Sequence, residues 1–132
     1  MSAEYLNPPT LSAPPGAMYS QAVRVRAAET LYISGQVARD PAGKLVGEGD
    51  VVAQYRQVWK NLGLALDAVG LGYDHLVKTT TYVTNIQHAA GVRKVREELF
   101  QGSNPPTSTL LVITGLASPD YMVEIEAIAV VD

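Results

Sequence analysis

The apolar positions of this chain change period several times, and each change marks an element. Ala22-Val23-Arg24-Val25-Arg26-Ala27 alternates with a period of two and predicts a first strand. Leu31-Tyr32-Ile33-Ser34-Gly35 predicts a second, with Glu29-Thr30 as a tight turn joining the two into a hairpin. Asp40-Pro41-Ala42-Gly43 is a strong turn signal, and Lys44 to Val46 leaves room for a short third strand. At Asp50, a natural N-cap, the period becomes helical. Val51, Tyr55, Val58, Leu62, Leu66 and Val69 recur at spacings of three and four, and Gly70 supplies a stop. Trp59 lies beside this stripe, where packing is its natural role. Leu76 to Val83 is β-branched and threonine-rich, and predicts a strand. His88 to Phe100 predicts a second helix with Val92, Val95, Leu99 and Phe100 inward and Arg93, Lys94, Glu97 and Glu98 outward, ended by Gly102. Ser108 to Ile113 and Tyr121 to Val131 predict the last two strands, joined through Gly115 to Asp120.

Residues 1–18 hold four prolines and no apolar period, and read as an extended lead-in. The resulting order, β-β-(β)-α-β-α-β-β, predicts an α+β fold, a mixed sheet with two helices covering one face. The other face then needs a partner. Residues 1–132 read as a single domain, with no internal repeat.

Composition narrows the function classes. Hydrophobic residues make up 47% of 132, rich for so short a chain and consistent with apolar surface buried between subunits. The absence of cysteine excludes disulfides, thiolate catalysis and cysteine-ligated metal. No segment reaches the length of a membrane span and no basic-then-apolar leader opens the chain, so a cytoplasmic protein is expected. Net charge is −3, with no basic cluster beyond Arg93-Lys94-x-Arg96, a poor footprint for nucleic acid. His75 and His88 are too isolated for a metal site. Gly70-Leu71-Gly72 follows a helix instead of opening one, so it is no phosphate loop, and no nucleophile has an evident base.

The last predicted strand sends Val123, Ile125, Ala127, Ala129 and Val131 to one face and Glu124, Glu126, Ile128 and Val130 to the other. Two carboxylates on a face that soon turns apolar suggest a surface only partly wet, such as a subunit cleft. Two readings stand: solvated acids on an amphipathic strand, or carboxylates placed for chemistry, since a buried one must be paired, hydrogen-bonded or protonated.

Val123-Glu124-Ile125-Glu126-Ala127-Ile128-Ala129 resembles the C-terminal signature of the Rid (YjgF) family of small trimeric proteins. Three more segments agree in order and approximate spacing: Tyr19-Ser20-Gln21-Ala22-Val23, Ile33-Ser34-Gly35-Gln36 and Val77-Lys78-Thr79-Thr80-Thr81-Tyr82-Val83. The similarity runs from about Pro14 to Val131. It implies a chorismate-mutase-like homotrimer, with three sheets around a central barrel, helices outside and sites in the clefts between subunits. It also implies hydrolysis of reactive enamines and imines to a keto acid and ammonia, without metal or cofactor.

In enzymatic members an arginine in a Pro-x-Arg-Ser/Thr motif grips the substrate carboxylate through two parallel hydrogen bonds. A glutamate on the last strand positions the water or proton. By the spacing of Pro105-Pro106-Thr107-Ser108-Thr109, Thr107 stands where the arginine would be, which marks an arginine-lacking branch. Its hydroxyl carries no charge and cannot replace the clamp. Glu124 takes the place of the catalytic glutamate. Tyr19, Ser34 and Gly35 match pocket-lining positions, and Thr109 a small polar residue of the wall. Ser34-Gly35 also suits a strand end where glycine permits close packing, and Tyr19 a ring buried with its hydroxyl on backbone. Among cations considered as substitutes for the clamp, Arg24 and Arg26 on the first strand rank above Arg93 and Arg96 on the second helix. Solvation is the default for all four.

Two function classes follow. One is a hydrolytic deaminase of a small enamine or imine metabolite with altered specificity. The other is a non-catalytic trimer that binds a small metabolite as a sensor or regulator. A ribonuclease or translation inhibitor, roles attached to some family members, is opposed by the net charge.

Overall fold

In this computed structural model, residues 2–16 and 18–131 are described. The elements in chain order are β1 (Ser2–Leu6), β2 (Ala22–Arg26), β3 (Glu29–Gln36), α1 (Val51–Asp67), β4 (Leu76–Val83), α2 (Ala89–Phe100), β5 (Thr107–Val112) and β6 (Val123–Val131). Single 3₁₀ turns at Tyr73–His75 and Ile86–His88 lead into β4 and α2.

Four strands make the main sheet, in the order β3-β6-β4-β5. β6 pairs antiparallel with both β3 and β4, while β5 lies parallel to β4 and is reached through α2, the crossover that a parallel pair requires. The alternation of β6 decides which face is core. Val123, Ile125, Ala127 and Ala129 are buried together with Tyr55, Val58, Leu62 and Leu66 of α1 and Val92, Val95 and Phe100 of α2. Both helices therefore cover one face, as the apolar periods require. Trp59 packs edge-on to Tyr55, Tyr73 and Phe100, with ring centroids 6.2, 5.3 and 5.4 Å away. The Asp50 carboxylate caps α1 by accepting from the Ala53 N–H at 3.1 Å. Past Asp67 the chain turns through Gly70 at φ 75°, a left-handed conformation that favours glycine.

Several expectations are revised. The predicted hairpin of β2 and β3 does not form. β2 pairs antiparallel with β1, in register from Ser2↔Arg26 to Leu6↔Ala22, and the two make a separate ribbon. The alternation of β2 was legible, but its partner lies sixteen or more residues upstream in the lead-in, whose proline runs hid a strand. Lys44–Val46 contributes an isolated bridge, Arg39↔Leu45, instead of a strand. Val69 falls beyond α1 and is 53% exposed, so the apolar stripe ends at Leu66.

The start of β6 is fixed by a residue outside the hydrophobic pattern. Gln54 is fully buried on α1, and its amide donates to the Gly47 and Asp120 carbonyls at 3.1 and 3.0 Å. Its oxygen accepts from the Met122 N–H at 2.9 Å. All its bonds go to backbone, so an apolar replacement takes their side-chain partner from the Asp120 carbonyl and the Met122 N–H, while the Gly47 carbonyl keeps only the Asp50 N–H. We expect Gln54→Leu to lower unfolding free energy by about 2 kcal/mol or more in urea titrations. Unchanged stability would mean that water can reach these groups.

Candidate functional site

The register places Glu124 beside Tyr82 and Glu126 beside Thr80, on the sheet face away from the helices. Side chains at paired positions share a face, so Lys78, Thr80, Tyr82, Thr107, Thr109, Leu111, Glu124, Glu126 and Tyr32 all belong to this open side. Tyr82 donates its hydroxyl to Glu126 Oε1 at 2.8 Å. That hydrogen bond, before all else, raises the Tyr82 pKa. Glu124 is half-buried. Its carboxyl pKa is raised above the usual 4.5, first by burial and then by the negative charge of Glu126.

Ser34 and Gly35 meet these acids through a bulge. Between the pairs Ile33↔Ala127 and Gln36↔Ile125 the register shifts, so Ser34 and Gly35 together oppose Glu126. Gly35 does not need a left-handed φ. What it needs is the absence of a side chain, because a Cβ there would lie 2.7 Å from Glu124 Cδ and closer still to Oε2. The carboxyl group of Glu124 thus rests directly on the backbone of β3. Three of the residues singled out from the sequence, Ser34, Gly35 and Glu124, come together at this edge.

The other three do not join them within one chain. Thr107 and Thr109 sit on β5, at the opposite edge of the sheet from β3. The Thr107 hydroxyl is already spent, donating to the Val77 carbonyl at 3.0 Å, and Thr109 is exposed. Tyr19 lies on the helix side, in the wall of a cavity of about 340 Å³ between the β5 edge and α2. Ser20 anchors this segment by donating its hydroxyl to the Pro105 carbonyl, and its N–H to that of Pro106 at 3.1 Å. The β5 residues that reach the cavity are Ser108, one position beyond Thr107, and Leu110. Counted from Pro106 instead of Pro105, the third position of the Pro-x-Arg pattern falls on Ser108. On either count the arginine is absent.

The reading of the free cations also changes. Arg24 pairs with Glu4 across the β1–β2 ribbon, and both side chains are exposed. Arg93 is exposed, whereas Arg96 is 3% exposed and lines the cavity beside Tyr19. Its place in the helical period, four residues after Val92 and four before Phe100, was the signal for burial. Among the described residues no group of acids and histidines is arranged to hold a metal ion, and no helix is long and apolar enough to cross a membrane.

The sequence profile of the family described as endoribonuclease L-PSP matches residues 10–131. The chain belongs to this family, also called Rid or YjgF. Among Rid proteins, the mouse 2-iminobutanoate/2-iminopropanoate deaminase is 42% identical over 113 residues, 85% of this chain and 80% of that protein. Protein DfrA of Myxococcus xanthus is 40% identical over 112 residues, 85% of this chain and 84% of its own length. The crystal structure of the Rid-family protein YyfB of Yersinia pestis superposes with a TM-score of 0.93. It is 32% identical and covers 99% of this chain and all of the other. The Escherichia coli YjgF structure, also 32% identical, matches with a TM-score of 0.70 over 85% of this chain and 87% of its own. The fold is thus the Rid α+β fold, with two helices on a mixed sheet.

The electrostatics of the acid pair can be measured directly. Followed by carbon NMR, the Glu124 side-chain carboxyl should titrate above an ordinary glutamate, and Glu126→Gln should bring it only part of the way back, since burial remains. Because the folded pKa is raised, this residue favours the native state below the ordinary value of 4.5. That contribution is lost as pH rises through the folded pKa. A midpoint unmoved by Glu126→Gln would remove the second cause.

Proposed function

We propose that this Rid protein hydrolyses a small enamine or imine to the corresponding carbonyl compound and ammonia. The observation that carries the reading is Glu124, half-buried against the Gly35 backbone with its pKa raised. A partly buried carboxyl group with a raised pKa holds a proton more readily than an ordinary surface glutamate and so is suited to accept and return one. The enamine tautomerises to its imine. Water adds to the imine carbon as Glu124 takes one of its protons and delivers it to nitrogen; Glu124 then carries the hydroxyl proton of the resulting carbinolamine to the amine, and the C–N bond breaks as the carbonyl forms and ammonia leaves. All atoms are supplied by substrate and water, so the step needs no cofactor.

The site is assembled between copies of the chain. The Ser34–Gly35–Glu124 edge and the Tyr19–Ser108 edge lie at opposite ends of the sheet, so one chain holds two half-sites. A head-to-tail contact that places one edge against the other completes a site at each junction, and repetition closes a ring. Three copies, as in the Rid homotrimer, also cover the open face, where Tyr32 is 76% and Leu111 44% exposed. The relationship to iminobutanoate deaminases supports the reaction class, and the net charge of −3 argues against RNA as substrate.

A second reading, a trimer that binds a metabolite without turnover, is favoured by one observation: neither Thr107 nor Ser108 supplies the arginine clamp. Ammonia release from freshly generated 2-iminobutanoate and 2-aminoacrylate separates the two. The hydrolase reading expects acceleration by the wild type and a loss of about 10²-fold or more in Glu124→Gln. Gly35→Ala should also lower kcat, because its methyl group displaces the Glu124 carboxyl. If the wild type accelerates neither substrate, the reaction is retired and the binding reading stands.

The acid limb of the pH–rate profile gives a further check. Glu126→Gln should shift that limb of kcat/KM to lower pH, because removing the neighbouring charge lowers the Glu124 pKa. An unshifted limb would detach the rate from Glu124.

A further inference from the structure

Two carboxylates on one strand face compete for protons, and the two on β6 are not equivalent. Glu124 and Glu126 stand two positions apart and so lie on the same side of the sheet. Neighbouring acids of this kind titrate as a pair. A third group that bonds to one of them alone therefore decides how the proton is divided.

Tyr82 is that third group. It pairs with Glu124 across β4 and β6, and Glu126 is its diagonal neighbour. Diagonal positions are about 7–8 Å apart, within reach of an aromatic side chain. Tyr82 thus stands opposite Glu124 in register, but its hydroxyl donates to Glu126 Oε1 at 2.8 Å. Both acids act on the phenol. The bond to Glu126 is the first cause of its raised pKa, followed by burial and then by the charges of Glu126 and Glu124. Glu124 has no equivalent donor. Its own pKa is raised by burial and by the charge of Glu126, with no hydrogen bond among the causes.

The other ionisable groups on this face are few. Lys78 and Tyr32 line a cavity of about 290 Å³ together with Glu126, and no ion pair joins Lys78 to either acid among the described residues. Thr107, Thr109 and Leu111 of β5 bring no charge, and Ser34 and Gly35 of β3 bring none to Glu124. Arg39, beyond the end of β3, donates to the Tyr121 hydroxyl.

We propose that Tyr82 is a positioning residue, which assigns the negative charge of the pair to Glu126 and the proton to Glu124. A carboxylate that accepts from a phenol is favoured in its ionised form, and the same bond holds Glu126 in place beside Glu124. With Glu126 anchored as the anion, a proton taken from water has one preferred resting place. The inference rests on the proposed imine hydrolysis for its consequence, since there the proton on Glu124 moves on to nitrogen. Tyr82 acts through Glu126 and need not touch substrate.

The test follows Glu124 by carbon NMR in the intact chain, so that it does not depend on turnover. Tyr82→Phe keeps the ring and removes only the donor. The Glu124 midpoint should fall toward the ordinary 4.5, by less than Glu126→Gln lowers it. In the double variant it should fall no further than in Glu126→Gln alone, because the phenol works through that acid. Conversely, Glu126→Gln should lower the titration of the Tyr82 phenol toward its ordinary 10.0. A ring that merely packs would change stability and leave these midpoints in place. The proposal is overturned if Tyr82→Phe leaves the Glu124 midpoint at its wild-type value, or if the two substitutions add. Rates separate the two readings. Where the wild type releases ammonia from 2-iminobutanoate, Tyr82→Phe should move the acid limb of kcat/KM to lower pH, and an unmoved limb would overturn the role in the reaction. Midpoints that move as expected in a protein that releases no ammonia from either substrate would retire imine hydrolysis and leave the proton assignment standing.

Discussion

Strand β6 is paired on both sides, by β3 and by β4, and the candidate site depends on that double pairing. A strand held on both edges cannot slip by one residue without reversing every side chain. Such a slip would drive Glu124 and Glu126 among the side chains of α1 and α2 and push Ile125 and Ala127 out, at the cost of two unpaired carboxylates in an apolar core. Gln54 secures the beginning of the strand through the Met122 N–H, and Val131 closes its end by accepting from the Ala28 N–H at 2.9 Å. Core packing on one face and acid placement on the other are therefore one constraint.

The acids are held on the open face by local devices that act together. The bulge in β3 brings Gly35 under Glu124, and the missing side chain lets a carboxyl group lie against backbone. Partial burial there and the proximity of Glu126 both disfavour the charged form of Glu124. Tyr82 fixes Glu126 in place by hydrogen bonding to it. A raised pKa at Glu124 thus comes from the backbone geometry of a neighbouring strand as much as from a neighbouring charge.

The helix side follows a different logic. Arg96 occupies a core position of α2 between Val92 and Phe100, where an aromatic or aliphatic side chain would pack without electrostatic cost. Its charge rests on ring faces and on a single carbonyl. Strand β2 of the β1–β2 ribbon is largely exposed, and a two-stranded ribbon alone is marginal in water.

Periodicity in the sequence was enough to locate both helices, the four strands of the main sheet, the Asp50 cap and the two-faced character of β6. Each of these is set by spacing that one element carries within itself. The ordered set of four motifs, Tyr19 to Val23, Ile33 to Gln36, Val77 to Val83 and Val123 to Ala129, was enough for the family. What the sequence could not settle is pairing and depth. β2 alternates identically whether its neighbour is β3 or β1, because alternation records the face of a strand and not its partner. Thr107 and Ser108 are adjacent in a polar run and take opposite faces by alternation, but only the parallel register with β4 decides which of them faces the helices. Arg96 reads as one more charge on a basic helix until Trp59 and Phe100 close around it. Local pattern follows from bonds along the chain, so the sequence determined the elements and the core face. Which unpaired donor ends up inside, and beside what, was decided by contacts between residues dozens of positions apart, and these exist only in the tertiary structure.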